Sequence, residues 1–150
     1  MNVDHTQKTL RHISEVQDRI FDVVDRLEHR AAVHDQSKLE EPEASQFAEV
    51  SAELDEVEYG SEEYQALLEE LNEALEHHYA ENRHHPEHHE GGVNDMTLID
   101  LVEMFCDWCA ATVRHEDGDI YESIEENTDR FDLSPQLAQI LRNTAKTIDN

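Results

Sequence analysis

Eleven histidines stand among 150 residues, and several fall where a metal-ligating or proton-transferring side chain would be useful. His34 and Asp35 terminate one apolar stripe, His78 ends another, His84 and His85 sit together in a short loop, and Asp107 lies mid-helix beside Ala110 and Ala111. A neutral imidazole offers one directional lone pair, and a neighbouring carboxylate can bridge two cations and hold the water between them. Mixed imidazole and carboxylate donors suit Mn, Fe, Co, Ni, Zn or Mg. Each residue also has a plainer reading. A lone histidine on a stripe can be a core residue bonded to a backbone carbonyl, and the loop at 84–89 can be a surface cluster that collects metal adventitiously. Asp100, Glu103 and Asp107 share one helical face: Asp100 reads as solvated, while Glu103 either orients a histidine ligand or faces water. Lys38 can simply pair with surplus acid. Cys106 and Cys109 lack a second pair and read as small core residues rather than as half a zinc site.

The elements that must position these residues are helical. Glycine occurs four times and proline three, and no alternating β-branched run appears, so the 3.6-residue period dominates and the fold is expected to be all-α. Leu10, Ile13, Val16, Ile20, Val23 or Val24, Leu27, Ala31 and His34 form one helical stripe. Pro42 suits the first position of a helix carrying Phe47, Val50, Leu54 and Val57, which the spacing ends at Tyr59-Gly60. Ser61 is placed to cap the next helix, with Tyr64, Leu67, Leu68, Leu71, Leu75, His78 and Tyr79 inward and His77 off the stripe. Residues 82–94 form a loop that closes on Gly91-Gly92. Thr97 caps a helix to about His115, with Leu98, Leu101, Val102, Phe105, Trp108 and Cys109 inward and Gly118 as its stop. Two more helices follow, near 119–129 and from Ser134-Pro135 onward, the last burying Leu137, Ile140, Leu141 and Ile148. This adds up to a single domain over residues 1–150, a bundle of about five to seven helices.

Charge narrows the partners. Eleven Lys plus Arg against 37 Asp plus Glu leave −26, which opposes binding of a nucleic-acid backbone because phosphates demand cationic patches. The acid excess, with eight Arg to three Lys, resembles proteins of salt-loving cells and their viruses; a decoy imitating DNA is the competing explanation. The longest run without a charged residue, Leu133 to Leu141, is nine residues, well short of the ~18 that a membrane span needs. With no secretory h-region at the start, a cytoplasmic protein is expected, in the host cell if the source is viral.

The order His12, His34-Asp35, His78, His84-His85, Asp107 resembles the HD superfamily of metal-dependent phosphohydrolases, and more closely an uncharacterised phage and bacterial family within or near it. The segments carrying the resemblance are His-Asp-Gln-Ser-Lys-Leu at 34–39, His-His-Tyr-Ala-Glu-Asn-Arg-His-His-Pro-Glu-His at 77–88, and Met-Thr-Leu-Ile-Asp-Leu-Val-Glu-Met-Phe-Cys-Asp-Trp at 96–108, with the tail from Arg114 to Phe131. The resemblance implies an HD-type helical domain and a nucleotidase or phosphodiesterase that hydrolyses a nucleotide or related phosphoester. It implies that His34, Asp35, Asp107 and His12 hold one metal, while His78 and His85 hold a second or face the phosphate. Lys38 would neutralise a phosphate oxygen and His84 would serve as general acid, with Asp35 in the catalytic set. Asn82, His88, Arg114 and Arg130 would grip substrate. A homo-oligomer fits this reading, as do two rivals: a protein of the same fold that sequesters nucleotide, and an acidic DNA mimic. If residues 10–34 form one rod, His12 and His34 stand about 33 Å apart at 1.5 Å per residue, so shared ligation requires the segment to reverse near 22–30.

Overall fold

The computed structural model describes residues 3–54, 66–67, 69, 71–113 and 118–148. The fold is all-α, as the periodicity predicts: among the described residues there are six α-helices, three short 3₁₀ turns and no strand. The expected turn at Tyr59-Gly60, the Ser61 cap and the end of the fourth predicted helix at His115 lie outside the described residues. No described helix is long and apolar enough to cross a membrane.

The chain divides into two compact units, Met1–His34 and Asp35–Asn150. The first consists of α1, Val3–Val33, a helix of 31 residues that runs without a break. Nothing in its sequence interrupts the backbone ladder, since it holds neither glycine nor proline. Lys8 and Asp4, one turn apart, pair at 2.8 Å on its surface. The reversal near 22–30 does not occur.

The second unit opens with a 3₁₀ turn, Gln36–Leu39, then α2, Glu43–Leu54, begins directly after Pro42. Helix α3, Asn72–Glu81, packs against α2 around buried Val50, Leu67, Leu71 and Ala74. The loop that follows tightens into 3₁₀ turns at Pro86–His88 and Gly92–Asp95. Helices α4, Leu98–Val113, α5, Ile120–Phe131, and α6, Pro135–Ile148, share a second core of Phe105, Ile120, Ile124, Leu133, Leu141 and Ala145. Trp108 of α4 stacks on Phe131 of α5 with the rings 5° from parallel.

On two helices some large residues face outward where the spacing puts them inward. Phe105 of α4 is buried as expected, but Leu98 is 69% exposed, and Met104 and Asp100 are buried along with Phe105. On α6, Leu141 is buried as expected, but Ile140 and Ile148 lie outward, and Ala138 and Ala145 complete the buried stripe. Small residues let α6 approach its neighbours closely, and dense packing outweighs the burial of two larger side chains.

Candidate metal centre

Three pieces of backbone bring the cluster together. Asp35 adopts the left-handed conformation, φ 54° and ψ 19°, and from there the chain enters the 3₁₀ turn, with Lys38 N–H donating to the Asp35 carbonyl at 3.0 Å. Aspartate is one of the few residues that enters that region at modest cost. His78 lies one helical turn after Ala74 on the buried face of α3. Asn82 ends α3 in extended conformation, its N–H still bonded to the His78 carbonyl, and the chain then doubles back so that His84 and His85 return toward His78. Pro86, with its fixed φ, starts the next turn and holds that reversal.

One donor atom from each of Asp35, His78, His84 and His85 lies within 4.8 Å of the other three. His78 Nε2 stands 3.4 Å from Asp35 Oδ1 and 2.9 Å from His85 Nε2, and His84 Nε2 stands 3.5 Å from Asp35 Oδ1. Four donors about 2.0–2.1 Å from a central ion form a tetrahedron with edges of about 3.4 Å. Two of these separations match that edge, and the His78–His85 pair needs to open by about half an ångström. Three imidazole nitrogens with one carboxylate oxygen is a donor set suited to a divalent transition ion. The residues present therefore fit a metal.

Burial disfavours the charged form of His78 and of His85. Burial, reinforced by Lys38, lowers the His78 pKa against the opposing pull of Glu43 and Asp35. Burial, with His84 and His78 close by, pushes His85 down to about 3. Lys38 Nζ donates to Asp35 Oδ2 at 2.7 Å, so the two oxygens of one carboxylate serve different neighbours. The Lys38 side chain is 43% exposed and reaches solvent from that pair.

Around this cluster the polar contacts are internal. Glu43, fully buried in the first turn of α2, accepts from His77 Nδ1 at 2.8 Å and from His78 Nδ1 at 2.9 Å. Burial alone would raise the Glu43 pKa, but hydrogen bonds from His77, Ser37 and His78 outweigh it, and the net shift is downward. Glu103 of α4 places Oε1 3.3 Å from His84 Nδ1, with its side chain only 9% exposed. That location takes Glu103 out of solvent.

The expected site residues divide between those near the cluster and those held elsewhere. His12 is exposed on α1, and because that helix is unbroken it stands about 33 Å from His34 along the rod, too far to share an ion. His34 closes the first unit, one peptide bond before Asp35. Asp107, half-buried on α4, brings a carboxylate oxygen within 4.8 Å of Asp35's. His84, expected as a general acid, is 1% exposed and belongs to the four-residue group. Asn82 is buried and gives both amide hydrogens to the fold, one to Ser37 Oγ at 2.7 Å and one to the His78 carbonyl at 2.8 Å. His88 Nδ1 donates to the Tyr79 carbonyl, and Arg130 is held by Glu87 at 2.7 Å and over the Phe131 ring. Arg114 lies outside the described residues. Asp100 is not solvated: it is 1% exposed and accepts from the Thr97 N–H and hydroxyl at 2.9 and 2.7 Å, with Arg83 alongside. Cys106 is exposed and Cys109 half-buried against the second core. Sequence reasoning missed Glu43 and His77, one a first-turn acid of ordinary appearance and the other off the apolar stripe. The nearest available signal was Pro42, which fixes where α2 begins and hence where Glu43 sits.

Fold and site together define an all-helical protein with a buried histidine–carboxylate group close enough to hold a metal ion. The chain belongs to a family of unknown function, DUF5662, whose model matches residues 1–147. No curated protein and no solved structure matches it. The resemblance to the HD superfamily rests on the order of its residues, and nothing in these comparisons links the family to that superfamily.

Proposed function

We propose that the protein is a metal-dependent hydrolase acting on a phosphoester of a nucleotide or related small molecule. The observation carrying this reading is the convergence of Asp35, His78, His84 and His85 donor atoms within 4.8 Å. These four residues would hold the ion. A divalent ion with a coordination position beyond these four donors, as larger transition ions allow, would supply Lewis acidity there, lowering the pKa of water and polarising a phosphoryl oxygen. Lys38, paired with Asp35 through Oδ2 and open to solvent, would meet a phosphate oxygen as negative charge develops on it. Asp35 would thus act twice, through Oδ1 on the cluster and through Oδ2 in aiming the ammonium group. A net charge of −26 disfavours a long polyanion and favours a small substrate that one lysine can hold.

The test is elemental analysis of untagged protein after dialysis against a weak chelator, followed by single-turnover product analysis. Wild type should retain a divalent transition metal, and His78→Ala or Asp35→Asn should lose it. Manganese-loaded protein mixed with nucleotides should release phosphate or a cleaved ester, and Lys38→Ala should slow release while retaining metal. A nucleotide recovered intact and stoichiometrically bound would replace hydrolysis by sequestration. No metal in wild type, even after its addition, would refute the reading.

A further inference from the structure

We infer that Glu43 is a positioning residue: its buried carboxylate keeps the proton of His78 on Nδ1 and so turns the Nε2 lone pair into the cluster. The inference rests on the reading of that cluster as a metal centre, and names a group outside it on which ligation depends.

An ionised carboxylate only accepts hydrogen bonds. Glu43 Oε2 lies 2.9 Å from His78 Nδ1, and Oε1 lies 2.8 Å from His77 Nδ1, so each oxygen faces a ring nitrogen that must donate. A neutral imidazole protonated on Nδ1 carries its lone pair on Nε2. On His78 that atom faces Asp35 Oδ1 and His85 Nε2. Two other groups approach His78 Nδ1. Asn82 Nδ2 at 3.1 Å is itself a donor, with its hydrogens directed at Ser37 Oγ and the His78 carbonyl. Ser37 Oγ at 3.3 Å can accept, but from farther away. Glu43 is therefore the dominant acceptor. Metal-bound histidines characteristically give their second N–H to such a partner, and losing it typically costs 10–100-fold in metal affinity. Glu43 comes from α2 and His78 from α3, so the contact also fixes the ring's orientation between two helices. His77, 37% exposed, takes up the second oxygen at the solvent edge.

The experiment has two arms. In metal-free, ¹⁵N-labelled wild type, long-range ¹H–¹⁵N correlation reads the His78 tautomer directly; Nδ1–H is expected, and Nε2–H overturns the inference whether or not metal binds. In the second arm, zinc alone is titrated against a chelating indicator. Glu43→Leu should bind at least tenfold more weakly with helical circular dichroism preserved. Glu43→Gln should remain within a few-fold of wild type, because its carbonyl can face His78 while its amide faces His77, whose exposed ring can move its proton. Glu43→Leu that folds and binds zinc like wild type overturns the inference. If Glu43→Leu does not fold, the tautomer of wild type decides. A wild type showing Nδ1–H but no zinc binding sinks the metal centre and supports Glu43's hold on the ring.

Discussion

Asp35 combines a ligand position with a left-handed backbone, and the two requirements select different substitutes. Asparagine keeps a short side chain that tolerates the conformation but loses the charge; glutamate keeps the charge on a stem that does not favour it. Compared metal-free, Asp35→Asn should therefore melt within a few degrees of wild type while failing to take up added metal, whereas Asp35→Glu should lose stability, by about 1 kcal/mol. Thermal melts beside metal analysis check both. His85 makes a second residue-scale prediction. Its folded-state pKa of about 3 lies below the ordinary 6.5, so on acidification the unfolded chain takes up the proton first. The stability linked to His85 is complete above about pH 6.5 and lost as pH falls toward about 3. Metal-free protein should melt at progressively lower temperature across that window, and His85→Phe should flatten the slope; an unchanged slope would show that the ring is not held neutral by burial.

At the scale of elements, α4 is started by a reciprocal cap: the Asp100 N–H donates to Thr97 Oγ1 at 3.2 Å while Asp100 returns its carboxylate to the Thr97 N–H. The Asp100 carboxyl, which burial alone would push up, is pulled down to about 2 by Thr97 and Arg83. Its contribution is present above the ordinary 3.8 and lost as pH falls through about 2. Asp100→Ala should cost about 1–3 kcal/mol in urea unfolding at neutral pH, with the difference from wild type shrinking at pH 2. On α6 the contrast is spatial. Ala138→Leu should cost about 1–3 kcal/mol by overpacking, and Ile140→Ser should fall within about 0.5 kcal/mol of wild type. The helices themselves were legible because period, caps and prolines agree: Thr97, Ser134 and Pro135 all mark starts that the structure keeps. The buried face of α6 was legible at Leu141 but not at Ala138 and Ala145, since hydropathy ranks Ile140 above Ala138 while packing rewards the smaller side chain. Within the site, His78 was legible from its stripe and Asp35, His84 and His85 from their order. Glu43 was hidden because a helix's first-turn acid usually faces water, and only the tertiary approach of α3 buries it.

For the whole molecule, a net charge of −26 opposes compaction. Raising salt from about 0.1 M to about 1 M shortens the screening length from ~10 to ~3 Å, so the melting temperature should rise with potassium chloride; a fall would show that pairs such as Arg130–Glu87 outweigh the general repulsion. The four-residue cluster lies wholly in the second unit, yet its members are far apart in sequence, with Asp35 and His85 separated by fifty positions. An ion gripping both would fasten a long stretch of chain into a closed ring, as a disulfide does, but as a fastening that a chelator can undo. Unfolding would then require its release, so the folded state would gain about 2.7 kcal/mol at a hundredfold excess of ion over its dissociation constant. The supply of metal around the protein would set how long the fold survives.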